Sequence, residues 1–209
     1  MQNGDFRSDE CVEFLKESDI VATNPPFSLF REFVSLLEKY NKKYIIIGNK
    51  NALTYKEIFS LIKSNKVWTG HRNINKDMWL ILPDDTEKWE KIKPVKDAYG
   101  LEQNRKIKHI MACWFTNLDH KKRHEEIILY EHYTPEKYPK YDNYDAINID
   151  KVTEIPCDYY GIMGVPITFL DKYNPDQFEI IKFRKGDDEK DLCINGKCPY
   201  FRILIRRKK

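Results

Sequence analysis

Two short apolar runs, residues 19–23 (DIVAT) and 44–47 (YIII), alternate with amphipathic stretches through the first 66 residues. This alternation is the strongest constraint on the fold. A helix is predicted over residues 8–16, with Ser8 as its cap and Asp9 and Glu10 in the favourable first turn. Residues 19–23 read as a buried strand. Asn24-Pro25-Pro26-Phe27 breaks that strand, and Ser28 is expected to cap a second helix to about residue 40, with Leu29, Phe33, Leu36 and Leu37 on one face. Residues 44–47 read as a second buried strand. Thr54-Tyr55-Lys56-Glu57 reads as a capping box opening a third helix. Helix, strand, helix, strand, helix is the order of a parallel α/β sheet, whose sites form at the carboxyl ends of strands. Asn24 and the loop from Gly48 both lie at such ends.

Beyond residue 66 the pattern changes. Strands are expected over residues 78–82, 107–116, 126–130, 178–183, 191–194 and 200–205, a turn over 161–166, and a Tyr/Pro/Lys-rich loop over 133–144. The sequence thus divides into residues 1–66, alternating helix and strand, and 67–209, a strand-rich continuation. The fold class is α/β.

With 209 residues the chain can bury a sizeable core. The net charge of +3 says little about partners, whereas its distribution says more. Arg202, Arg206, Arg207, Lys208 and Lys209 form an acid-free basic end able to meet phosphates. Lys121, Lys122 and Arg123, between His120 and His124, suggest a second, solvated basic loop. The tryptophans 68, 79, 89 and 114 read as core. Five scattered cysteines (11, 113, 157, 193 and 198) read as reduced thiols of a cytoplasmic protein, with no metal site, and Asn195-Gly196 as a hairpin turn. No stretch has the length and apolarity of a membrane span, and no signal peptide is visible.

The tetrapeptide after the first strand carries the chemistry. The amino nitrogen of adenine is a poor nucleophile because its lone pair is delocalised into the ring. Two hydrogen-bond acceptors facing its N–H groups shift it towards a tetrahedral, nucleophilic state. The Asn24 side-chain oxygen supplies one acceptor and the Pro25 carbonyl the other. Neither proline has an N–H to compete, and each holds the residue before it extended. Phe27 offers a ring on which an extruded base can stack, worth ~1–3 kcal/mol. The amine can lose its proton after transfer, so no prior general base is needed. Upstream, Asp5-Phe6 pairs a carboxylate and a ring suited to a cofactor's adenine. Asn49 and Lys50, after the second strand, are candidates for positioning substrate.

These residues resemble the amino-methyltransferases, whose motif is (Asp/Asn/Ser)-Pro-Pro-(Tyr/Phe). The strings GDFRSDECVEFLKESDIVATNPPFSLFREFV, IIIGNKNALTYKEIF, YDAINIDKVTEIP and MGVPITFLDKYNPDQFEI resemble, more narrowly, the EcoRI-type adenine-specific modification methylases. The resemblance implies transfer of a methyl group from S-adenosylmethionine to adenine N6 in double-stranded DNA, with the adenine flipped out. It also implies a partial Rossmann-like methyltransferase sheet followed by a strand-rich target-recognition region, with residues 1–66 as a truncated catalytic core and 67–209 serving target recognition and completion of the sheet. Catalytic roles for Asn24, Pro25, Pro26 and Phe27, and cofactor contact by Asp5 and Phe6, are implied with it. The family's glycine-containing cofactor loop lies upstream of the Asp-Phe pair. No G-x-G occurs in this chain, so a missing amino-terminal segment or a second polypeptide is expected to complete the sheet. Three alternatives stand beside this reading: a non-catalytic DNA-binding remnant, a protein-glutamine methyltransferase, and a C5-cytosine methyltransferase built on Pro156-Cys157.

Overall fold

The computed structural model describes residues 4–76, 78–96 and 99–208. It is an α/β structure with mixed sheets. Helix α1 (Asp9–Glu17) leads into strand β1 (Ile20–Thr23). Helix α2 (Phe30–Lys39) and strand β2 (Lys43–Asn49) follow, then helix α3 (Lys56–Lys63) and strand β3 (Trp68–Thr69). Strands β4 (Met78–Ile81), β5 (Lys91–Lys96) and β6 (Glu102–Ile110) form a separate antiparallel sheet in the order β4-β6-β5. Strand β7 (Ala112–Thr116) returns to the first sheet, whose order is β1-β2-β7-β3. The chain then builds a five-stranded sheet from β8 (Lys140–Tyr141), β9 (Tyr144–Asn148), β10 (Ile162–Pro166), β11 (Phe178–Phe183) and β12 (Arg202–Arg207), in the order β11-β12-β10-β9-β8.

β1 and β2 run parallel, with Thr23 opposite Ile46, while β7 is antiparallel to both β2 and β3. The carboxyl ends of β1, β2 and β3 therefore share one end of the sheet with the start of β7. α2 lays Phe30, Phe33, Val34 and Leu37 onto Tyr44 and Ile46, the buried face of β2. One core continues from this layer to Met163, Phe178, Ile203 and Ile205 of the second sheet.

Several local expectations are corrected. β1 is not buried: it lies at the edge of its sheet, and Ile20 is 50% exposed. Ser28 does not cap α2. A 3-10 turn, Phe27–Leu29, intervenes, because the Pro26 carbonyl accepts from Leu29 N at 3.1 Å. Thr54 likewise bonds back to the Asn51 carbonyl and belongs to the 3-10 turn Lys50–Thr54, so no capping box opens α3. Residues 161–166 contain β10, not a turn. Residues 126–130 form no strand. Instead the Gln177 side-chain amide accepts from Ile127 N and donates to its carbonyl, both at 2.8 Å, as a strand neighbour would. Residues 191–194 make isolated bridges only. Cys193 and Cys198 are joined in a disulfide, so only Cys11, Cys113 and Cys157 are thiols. The left-handed backbone of Asn195 and Gly196 makes the turn between them, as their sequence predicts. None of the four tryptophans is fully buried, and Trp89 is 43% exposed. Among the described residues, no helix is long and apolar enough to cross a membrane.

Candidate active site at the strand ends

Asn24 leaves β1 at the carboxyl end of the first sheet, and the four residues of the tetrapeptide divide their surroundings sharply. Pro25 is buried, while Asn24, Pro26 and Phe27 are exposed. The buried proline anchors the turn, and the groups on either side face solvent. Among the described residues no hydrogen bond reaches the Asn24 side chain or the Pro25 carbonyl, so both acceptors are available. The Pro26 carbonyl is consumed by the turn that follows. Phe27 is 39% exposed, which leaves ring surface for stacking.

The turn is held from behind. Phe30, three residues past Phe27, packs its ring against Gly48 and Phe115. A Cβ at position 48 would approach Phe30 Cζ to 2.6 Å, so only glycine lets the start of α2 sit this close to β2.

Asp5 and Phe6 lie beside α2. Phe6 meets Phe33 edge-on at 5.0 Å between ring centroids. Arg7 donates to Asp5 through Nη2 at 2.7 Å and Nε at 3.0 Å, and to Glu32 of α2 at 2.9 Å. Hydrogen bonds from the Arg7 side chain, and then from its backbone N–H, hold the Asp5 carboxyl down to about 2. Phe6, Arg7 and Ser28 line one cleft with Arg31 and Glu32. Through Phe6 and Arg7 this segment thus reaches α2, the helix that follows the tetrapeptide after the turn Phe27–Leu29.

Asn49 ends β2 as a local cap, its side chain accepting from Asn51 N at 2.9 Å. Lys50 N donates to the Met111 carbonyl at 3.0 Å, tying the end of β2 to the start of β7. The Lys50 ammonium lies within electrostatic reach of Cys113 and Asp171. Burial pushes the Cys113 thiol up to about 12, with Lys50 opposing. Burial also raises the Asp171 carboxyl, against its bond from Ile74 N at 2.8 Å and the charges of Lys122 and Lys50.

Sequence reasoning missed Asp171 and the segment after β3. Gly70, His71, Arg72 and Asn73 line a cleft with Ile45 and Trp114 at this side of the sheet. Asp171 stood in view within the string MGVPITFLDKYNPDQFEI, but nothing in its local pattern marks a carboxylate that will be buried against a segment nearly a hundred residues away.

Most of the described cations in the two basic runs have internal partners. Arg202 is buried, donating to Asn148 and Asp150. Arg206 pairs with Glu179, and Arg207 donates to the Cys157 carbonyl. Lys209 lies outside the described residues. In the loop, Arg123 covers the Trp68 ring at 3.7 Å, Lys122 bonds Asn73 Oδ1, and His124 bonds Asp119.

The α/β architecture and the acceptor turn at a strand end are compatible with a methyltransferase. The family model described as "Adenine-specific methyltransferase EcoRI" matches residues 1–208, and the chain belongs to that family. It is 55% identical to "Type II methyltransferase M.EcoRI" of Escherichia coli, over 99% of this chain and 63% of that protein. It is 37% identical to "Type II methyltransferase M.MgeORF184P" of Mycoplasma genitalium, over 99% of this chain and 70% of the relative. It is 42% identical to "Type II methyltransferase M.MpnI" of Mycoplasma pneumoniae, over 86% of this chain and 56% of the relative. The chain therefore spans 63% of the length of the first of these. No solved structure matches it.

Proposed function

We propose that this chain carries the catalytic turn and the DNA-facing part of a site-specific adenine-N6 DNA methyltransferase that uses S-adenosylmethionine and acts on an adenine flipped out of the duplex. The carrying observation is the turn's two acceptors: an exposed Asn24 side-chain oxygen and a Pro25 carbonyl, neither with a hydrogen-bond partner among the described residues, beside an exposed Phe27 ring. In this reading β1, α2 and β2 belong to a partial Rossmann-like sheet. Residues 1–66 form the catalytic part and 67–209 the target-recognition part.

The cofactor's adenine end fits the residues present. Phe6 is half-buried with ring area to offer, and Asp5 is an ionised carboxylate throughout the physiological range. Arg7 already occupies much of that carboxylate, so Asp5 has limited capacity left to accept from an exocyclic amine. Bound S-adenosylmethionine supplies the electrophilic methyl group. The chain's own residues orient and activate the acceptor. Asn24 Oδ1 and the Pro25 carbonyl accept from the two amino hydrogens and draw the nitrogen lone pair out of the ring. Phe27 holds the base plane, and Pro25 and Pro26 withhold competing N–H donors. Asn49 and Lys50 complete the substrate side, Lys50 as the mobile group because the Asn49 oxygen is committed to its cap.

The test is transfer of labelled methyl from S-adenosylmethionine to duplex oligonucleotides, by this chain alone and with the amino-terminal region of the Escherichia coli relative supplied in trans. Label on adenine N6 in either arm supports the reading. Label in protein glutamine, or binding of DNA with no transfer in either arm, overturns it.

A further inference from the structure

The sheet β4-β6-β5 is inserted between β3 and β7, two neighbouring strands of the first sheet. Its root lies at the end of the sheet that carries Asn24. Ala112, directly after β6 and Met111, stands opposite Asn49 at the end of β2, and the Met111 carbonyl accepts from Lys50 N. The arm therefore rises from the rim of the candidate active site. At ~3.4 Å per residue, the nine residues of β6 reach roughly 30 Å.

The cations of the arm are concentrated on two of its strands, while Asp84, Asp85, Glu87 and Glu90 lie in the connection between β4 and β5. β5 and β6 together carry Lys91, Lys93, Lys96, Arg105, Lys106 and Lys108 against a single acid, Glu102. Strand register sorts these cations. Trp79 stands opposite His109, Lys91 opposite Ile107 and Lys93 opposite Arg105, and alternate residues of β6 share a face. Trp79, Lys91, Lys93 and Arg105 are therefore together on one side. Side-chain geometry agrees: the Lys91 and Lys93 ammoniums lie 5.4 and 5.6 Å from the Trp79 ring centroid. Trp79 pre-positions the two charges on a rigid surface. Among the described residues no carboxylate pairs with Lys91 or Lys93, whereas Arg202, Arg206 and Arg207 of the basic end and Lys122 and Arg123 of the turn have internal partners.

We propose that this Trp79-Lys91-Lys93-Arg105 face is the surface on which the chain holds the phosphate backbone of duplex DNA beside the target base. This rests on the DNA reading above. The partner is a polyanion because the two exposed lysines of the face, Lys91 and Lys93, have no carboxylate partner among the described residues, while Arg105 is paired with Asp84 at 3.6 Å. It is a duplex because an antiparallel β arm of this reach can track a groove or backbone, β-sheet elements being among those that enter DNA grooves.

The experiment is equilibrium binding of a fluorescent duplex to the full chain across a salt series. Each lost phosphate contact lowers the slope of log affinity against log salt by about 0.9. Lys91→Ala with Lys93→Ala should lower the slope by about two contacts' worth, while Lys91→Arg with Lys93→Arg should restore it. Arg206→Ala should leave it unchanged. A parent chain that binds duplex, with an alanine pair matching it in affinity and slope, overturns the arm proposal alone. A parent chain that binds no duplex at any salt overturns the underlying DNA reading with it. An alanine pair whose circular dichroism matches the parent and whose slope falls supports the proposal. If the alanine pair misfolds, the arginine pair with Arg105→Gln decides by the same slope.

Discussion

Gly48 and Phe30 are in contact with no room for a side chain between them: a Cβ at position 48 would stand 2.6 Å from Phe30 Cζ and 2.9 Å from Phe115 Cε2. Phe30 opens α2, so this contact fixes where the acceptor turn ends. Gly48→Ala is expected to push Phe30 outward and cost about 1–3 kcal/mol, the usual range for overpacking. A urea midpoint equal to the parent's, by circular dichroism, would show that the contact does not position α2.

The Asn24 side chain is exposed and has no hydrogen-bond partner among the described residues, so changing it should leave the fold alone. Asn24→Ala is expected to reduce methylation by at least ~10²-fold in a reconstituted enzyme, the scale of removing one transition-state hydrogen-bonding group. Duplex binding should stay within about twofold. Asn24→Asp keeps an acceptor and should retain part of the rate. Initial rates and fluorescence anisotropy measured on the same preparations separate the two effects, and full turnover by the alanine variant would sink the assignment.

The Asp5–Arg7 pair predicts a pH response of definite sign. The Asp5 carboxyl is depressed to about 2 from its ordinary 3.8. Whatever stability the pair adds is therefore present above about 3.8 and lost as pH falls towards 2. Arg7→Gln should return the Asp5 titration to near the ordinary value. Carboxyl-carbon NMR titration reads this directly, and an unmoved midpoint would place the cause elsewhere.

Burial makes Cys113 inert as well as hidden. It is 3% exposed and its thiol is pushed up to about 12. At pH 8 the native chain should be alkylated at Cys11 and Cys157, with Cys113 reacting only after denaturation. Peptide mass spectrometry after timed iodoacetamide treatment tests this, and labelling of native Cys113 at the rate of Cys11 would contradict it.

The Gln177 amide substitutes for a strand neighbour of Ile127. Gln177→Ala removes two hydrogen bonds and leaves that backbone without a partner, at a cost of about 1–3 kcal/mol. Amide exchange at Ile127 should accelerate well beyond the global change. Uniform exchange across residues 125–131 in both proteins would count against the clamp.

What was legible in the sequence was local. Ser8 caps α1, accepting from Cys11 N; the apolar run 44–47 lies within β2; residues 178–183 give β11 to the residue; and Asn195-Gly196 turns as its composition demands. The less legible features depend on partners distant in the chain. DIVAT has the composition of a buried strand, yet lies at a sheet edge because no described strand flanks it. Gly161 and Pro166 disguised β10, whose pairing with β12 lets Pro166 end the strand. The basic end was read as free to meet phosphates because no acid lies near it in sequence; in β12 its arginines meet partners from elsewhere in the chain, Arg202 at Asn148, Arg206 at Glu179 and Arg207 at the Cys157 carbonyl. The candidate turn itself was readable because its chemistry resides in four consecutive residues. The arm's basic face, assembled from three strands, was not.

Two of the sheet edges, β5 and β1, differ in how they meet a neighbouring molecule. β5 carries Pro94, which has no N–H to offer, and its three lysines repel a second copy. β1 has neither safeguard: it presents Ile20, Val21, Ala22 and Thr23 without a charge or a proline until Asn24. At high protein concentration, self-association of this chain should begin at β1 and leave β5 monomer-like. Replacing exposed Ala22 with lysine is accordingly the first change to make for samples that must stay dispersed.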